Sequence, residues 1–171
     1  MFMNYVRLEI VDSDGDKQGE GSGIAISANH VLTCFHVIRA DCSVKCRNKL
    51  ARFIACEPAN DMAILEFDTV FRPNLKWTKK VNLGEKILVY GNAVGRGGSL
   101  MIFNVANVTK YQIHLFPSAP AGSSGAGAYN EQMELVGMIE SNFISRTGGI
   151  ALAVHHRILR RFVEEVLGVP K

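Results

Sequence analysis

The feature that most restricts the fold is a series of short apolar–polar alternations cut by turns, and the series runs twice along the chain. Tyr5-Val6-Arg7-Leu8-Glu9-Ile10 alternates as a half-buried strand does, and Asp12-Ser13-Asp14-Gly15-Asp16 follows as a turn in which Asp-Gly is a strong hairpin signal. Strand-like runs continue at residues 21–27, 31–34, 43–47, 50–55 and 61–67. About six strands in the first 70 or so residues is the spacing of an antiparallel barrel or sandwich. Residues 71–77 contain proline and no period, so a linker is expected over 71–83. A second set of strands is expected at 85–91, 100–105, 108–113, 134–140 and 149–154. The tail changes period. Apolar residues at 158, 159, 162, 163, 166 and 167 make a helical stripe, with Arg157, Arg160, Arg161, Glu164 and Glu165 opposite, and Gly168 and Pro170 stop it. The expected architecture is all-β: an antiparallel barrel in 1–70, a second in 84–154, and a C-terminal helix over 155–168 whose stripe packs on its own chain.

Composition excludes several classes of function. The 171 residues are 47% hydrophobic and 20% charged, which is enough to fill one core or two small lobes sharing one. No apolar run approaches the ~18 residues of a membrane span, so no membrane partner is expected. The N-terminus has no basic segment followed by an apolar one, which points to a cytoplasmic location, or to the host cytoplasm for a viral protein. A net charge of +3 does not argue for nucleic acid. Arg39, Lys45, Arg47, Lys49 and Arg52 could contact RNA phosphates, and a solvated strand face explains them as well. Cys34, Cys42, Cys46 and Cys56 lack the paired close spacings of common zinc sites. Free thiols are expected, with a zinc site or a local disulfide as the alternatives. The acidic turn at residue 12 is no calcium loop, because Gly23 stands where its last carboxylate ligand belongs. No metal and no cofactor are expected.

The residues able to do chemistry lie in three places. Gly122-Ser123-Ser124-Gly125-Ala126-Gly127 crowds small residues into a tight turn, and Ser124 at its tip is either filler or a nucleophile. A serine hydroxyl needs a base to attack anything. His36 follows the apolar run from Val31 to Phe35, where a barrel can hold it rigidly, although a lone histidine there can also be structural. Asp61 precedes Met62-Ala63-Ile64-Leu65, at the mouth of a buried strand, where a charge requires a partner.

These stretches carry a resemblance. Gly21-Ser22-Gly23-Ile24-Ala25-Ile26 followed by Val31-Leu32-Thr33-Cys34-Phe35-His36-Val37-Ile38 is similar to the hairpin and histidine strand of chymotrypsin-like serine proteases, and closest to the HtrA-like branch. Asn60-Asp61-Met62-Ala63-Ile64-Leu65 resembles the strand with the triad aspartate. Residues 84–95 resemble the strand and turn that open the second barrel, Gly122–Gly127 the nucleophile turn, and Leu135-Val136-Gly137-Met138-Ile139 the strand that flanks the substrate. The order His36, Asp61, Ser124 matches the family. The resemblance implies two six-stranded barrels and a serine endopeptidase acting on proteins or peptides. Ser124 would attack, His36 would shuttle the proton, Asp61 would orient His36, and the N–H groups of Gly122 and Ser124 would form the oxyanion hole. It also implies a minimal core of the viral or bacterial intracellular kind.

Departures from the family pattern bear on regulation and specificity. Ser123 replaces the aspartate that pairs with a new N-terminus in zymogens, so no switch of that kind is expected. Ser118, Ala119, Ile139, Glu140, Ser141 and Asn142 are expected around the specificity pocket. With uncharged Ser118 at its base, a medium apolar residue before the scissile bond is the expected preference. Glu140 replaces a small hydroxyl residue, and the preferred reading points it to solvent at a strand end. The alternative faces it to His36, because one residue of register flips the side. A non-catalytic peptide-binding module on the same fold is the competing function.

Overall fold

Strands with one apolar face bury it by curling into a barrel, which also removes exposed edges. In the computed structural model, which describes residues 4–169, the first barrel is built from β1 (Tyr5–Val11), β2 (Lys17–Ala25), β3 (His30–Cys34), β4 (Ser43–Cys46), β5 (Lys49–Glu57) and β6 (Met62–Phe67). They close in the order β1-β2-β3-β6-β5-β4, every pairing antiparallel. Leu8, Ile24, Leu32 and Ile64 fill its interior without solvent exposure. The second barrel comprises β7 (Lys86–Asn92), β8 (Gly98–Val108), β9 (Gln112–Phe116), β10 (Gly127–Tyr129), β11 (Leu135–Ser145) and β12 (Gly148–His155). It closes as β10-β11-β12-β9-β8-β7 around Ile87, Val89, Phe103, Ile113 and Val136. The chain is thus all-β, with two closed six-stranded antiparallel barrels and one C-terminal helix.

Three elements differ from the sequence expectation. β8 runs unbroken to Val108, so the expected strand over 108–113 straddles a turn. Thr109 makes that turn: its Oγ1 accepts the Gln112 N–H at 2.9 Å, and its own N–H donates to the Gln112 carbonyl. β10 has only three residues, too few to show alternation, and was not expected. β11 extends to Ser145, five residues past its expected end.

The helix α1 (His156–Leu167) starts one residue later than expected, because His155 is its N-cap and accepts the Arg157 N–H through Nδ1 at 3.2 Å. Ile158, Leu159 and Phe162 join the hydrophobic cluster of the first barrel, although the helix follows the second. Arg161 forks onto both carboxylate oxygens of Glu57 at the end of β5, at 2.8 and 3.1 Å. The connecting segment is fastened at both ends. Phe71 is buried and bonds through its N–H to the Ala28 carbonyl, while Lys76 and Thr78 hydrogen-bond the backbone of Leu135 on β11. Helix and linker therefore hold two independently closed barrels against one seam, and the Ser124 loop lies on it.

Candidate active site

His36 sits on a single 3-10 turn, Phe35–Val37, directly after β3. Asp61 ends another, Pro58–Asn60, in a left-handed conformation (φ 51°) that aspartate tolerates better than most residues. The two turns meet. The Phe35 N–H donates to the Asp61 carbonyl at 3.0 Å, the His36 N–H to Asp61 Oδ1 at 2.8 Å, and His36 Nδ1 to Asp61 Oδ2 at 2.5 Å. One carboxylate therefore fixes both the backbone and the ring of His36. With the proton on Nδ1, Nε2 is the basic nitrogen. The His36 side chain is 50% exposed and that of Asp61 18%.

Beneath them Cys34 is fully buried, and its Sγ donates to the Ile139 carbonyl at 3.2 Å. Burial pushes the thiol pKa up, and the Asp61 and Glu140 carboxylates add to the effect, so it stays protonated and unreactive. Cys34 Sγ, a His36 ring nitrogen and an Asp61 oxygen lie within 4.8 Å of one another. The short His36–Asp61 hydrogen bond leaves no room for an ion between those two. The other three cysteines are likewise unbridged.

The Ser124 loop is shaped by two glycines. Gly122 (φ +87°) and Gly125 (φ +88°) are left-handed, and both are hemmed in. A Cβ on Gly122 would lie 2.1 Å from the Asn92 carbonyl oxygen, and one on Gly125 would lie 1.9 Å from that of Ser22. The loop is pinned from both barrels: the Ser22 N–H donates to the Ser124 carbonyl at 2.9 Å, and the Gly125 N–H to the Ile139 carbonyl at 2.8 Å. Among the described residues, the N–H groups of Gly122 and Ser124 have no hydrogen-bond acceptor. The Ser124 hydroxyl donates to the Glu140 carbonyl at 3.3 Å, and no hydrogen bond joins it to His36.

Glu140 departs from its preferred reading. β11 pairs with β12 as Ile139↔Ala153 and then Ser141↔Leu152, so Glu140 is the extra residue of a β-bulge. The bulge turns its side chain back against the site, half-buried, with Oε2 accepting from Gln112 Nε2 at 3.0 Å. Burial raises its carboxyl pKa. The Gln112 bond opposes the rise, the Asp61 charge adds to it and His36 opposes it, which places Glu140 within electrostatic reach of both. It lines a cavity of about 420 Å³ with Ala59, Asn60, Tyr111, Gln112 and Val154.

The remaining expected pocket residues are divided. The Asn142 side chain clamps Ala119, accepting its N–H and donating to its carbonyl, both at 2.8 Å, which ties the segment before the Ser124 loop to β11. Ser118 is half-buried beside it and Ser141 is exposed. Ile139 is no pocket wall: its side chain belongs to the core of the second barrel. Of the basic residues considered for RNA, Arg52 pairs with Glu66, Lys49 with Asp68, and Arg47 stacks on Phe71. Sequence reasoning missed Glu20, Ser22 and Asn92, which support the Ser124 loop from behind. Only the small residue between Gly21 and Gly23 hinted at a close approach.

Comparison with known proteins adds to this geometry. The sequence profile of the trypsin-like peptidase domain matches residues 21–138. No curated protein matches the sequence. Among solved structures, the serine endoprotease from Yersinia pestis superposes on 97% of this chain with a TM-score of 0.81 at 21% identity, and the chain spans 63% of that structure's length.

Proposed function

Since the chain belongs to the trypsin-like peptidase domain family, we propose that it is a serine endopeptidase using Ser124, His36 and Asp61. Asp61 holds the proton on His36 Nδ1, so Nε2 accepts the Ser124 proton as Oγ attacks the substrate carbonyl. The oxygen that becomes negative is taken by the Gly122 and Ser124 N–H groups, which no protein acceptor occupies. His36 then returns the proton to the leaving amine, and water hydrolyses the ester by the same route. The chemistry needs no metal or cofactor.

The hydroxyl must first leave the Glu140 carbonyl. Beyond Ile139, whose N–H and carbonyl bond Ala126 and Gly125, β11 is paired with β12 alone, so one edge from Glu140 onward is open to an extended peptide. A substrate N–H that takes the Glu140 carbonyl releases Ser124 toward His36, so binding completes the site. Uncharged Ser118 favours a medium apolar residue before the scissile bond.

The observation that carries this reading is the pair of hydrogen bonds that His36 donates to the Asp61 carboxylate, which a merely structural, half-exposed histidine does not require. The Ser124–Glu140 bond favours the second reading, a peptide-binding module without catalysis. A fluorophosphonate probe separates the two. Labelling of the folded protein that disappears in Ser124→Ala supports the endopeptidase, and an unlabelled wild type leaves the binding module.

A further inference from the structure

Glu20 lies on β2 with its side chain only 7% exposed, at the seam between the barrels. Arg7 and Lys17 pair with Oε1 from the solvent side. Oε2 faces the second barrel and accepts from Asn92 Nδ2 at 2.5 Å. Burial would raise the carboxyl pKa, but the bonds from Lys17, Arg7 and Asn92 outweigh it and hold it at about 2, so the group is anionic at any working pH.

A carboxylate only accepts, so it decides which way the amide of Asn92 turns. With Nδ2 on Glu20, Asn92 Oδ1 accepts the Gly97 N–H at 2.8 Å and closes the turn that follows β7. The backbone of the same turn sets the Ser124 loop. The Asn92 N–H donates to Ser22 Oγ at 3.0 Å, and that hydroxyl donates to the Gly122 carbonyl at 2.9 Å. The Val94 N–H donates to the Ala121 carbonyl at 2.7 Å. The Asn92 carbonyl occupies the place of a Gly122 side chain. The peptide planes on both sides of Gly122 are thus laid against a turn that the Gly97 N–H to Asn92 Oδ1 bond closes together with the Arg96 N–H to Ala93 carbonyl bond at 3.1 Å.

We propose that Glu20 of the first barrel is a positioning residue for the Gly122 and Ser124 amides of the second, acting through the Asn92 side chain. The proposal rests on the endopeptidase reading. Glu20 touches no reacting atom. Its role is to keep the Asn92 amide in the sense that aims the oxyanion donors, beyond gluing one barrel to the other.

The test reverses the bond without removing it. Asn92→Asp sets carboxylate against carboxylate. Adding Glu20→Gln restores one donor, one acceptor and one negative charge in the opposite sense, and leaves the Gly97 N–H its acceptor. The readouts are the rate of fluorophosphonate labelling and the kcat and KM of peptide cleavage, with melting curves to show that each protein is folded. Asn92→Asp should label about 10- to 100-fold more slowly at pH 8, with the loss in kcat rather than KM. Glu20→Gln/Asn92→Asp should return near the wild-type rate. A double variant as slow as the single one overturns the proposal, because the hydrogen bond is then restored without the rate; so does an Asn92→Asp protein whose loss appears only in its melting curve, the result that glue between the barrels would give. Folded Glu20→Ala that labels at the wild-type rate also overturns it. An unlabelled wild type overturns the endopeptidase reading and this one with it, so the two failures are distinguishable.

Discussion

Acidification should weaken the fold through His156. Its ring is buried at the first turn of α1 and stacks on His155 with centroids 4.4 Å apart. Burial lowers its pKa first, and His155, Arg157 and Arg160 lower it further, from 6.5 to about 4. The folded chain keeps the ring neutral where the unfolded chain protonates it. Stability is therefore intact above pH 6.5 and falls as pH drops toward 4, where the folded chain takes up the proton too. At about 1.36 kcal/mol per pH unit over that interval, the loss is on the order of 3 kcal/mol, a large part of the ~5–15 kcal/mol that holds a typical domain. His155 is lowered in the same sense by burial and Arg157. Urea unfolding at steps from pH 7.5 to 4 measures this, in wild type and in His156→Gln. The variant carries a fixed cost for its lost stacking, and its stability should fall less steeply across the window. Glu20 does not confuse the result, because its stabilising charge is lost only as pH falls from 4.5 toward about 2. Parallel wild-type and variant curves between pH 6.5 and 4 would refute the reasoning.

Other expectations follow from the Ser124 loop. Gly125→Ala combines a left-handed backbone with a 1.9 Å overlap on the Ser22 carbonyl, so it should destabilise by more than about 3 kcal/mol and give no labelled protein. A soluble, labelled variant would show that the loop can move. Ser22→Ala leaves the Asn92 N–H and the Gly122 carbonyl without their side-chain partner, which should cost about 1–3 kcal/mol in urea unfolding and slow fluorophosphonate labelling.

Much of this protein was legible in the chain because the signals are local. Alternation of period 2 marked the strands of the first barrel to within a few residues, and the stripe at 158–167 marked the helix. The glycines at 122 and 125 suit a tight turn or a flexible loop alike, and the carbonyls of Asn92 and Ser22 packed against them are what make the loop rigid. His36, after one apolar run, and Asp61, before another, became candidates through the order of motifs that resembles the family, since either position alone also suits a structural residue. Where local signal was thin, the reading slipped. Three residues of β10 cannot show a period, and the Thr109 turn uses a side-chain hydroxyl in place of glycine or proline.

What tertiary structure alone decided were matters of register and long-range pairing. The bulge that turns Glu140 toward His36 and Asp61 exists only because β11 and β12 pair out of step at one residue, and no property of Glu140 itself announces it. Position along the chain puts Ile139 at a pocket wall, but strand geometry sends it into the core. The bond between Glu20 and Asn92 joins residues from different barrels. Sequence patterns report which residues must be buried and which turns the backbone can make. Which buried polar group meets which is settled only when both barrels have closed and met at the seam, where each donor must find an acceptor or lose its hydrogen bond to water without replacement.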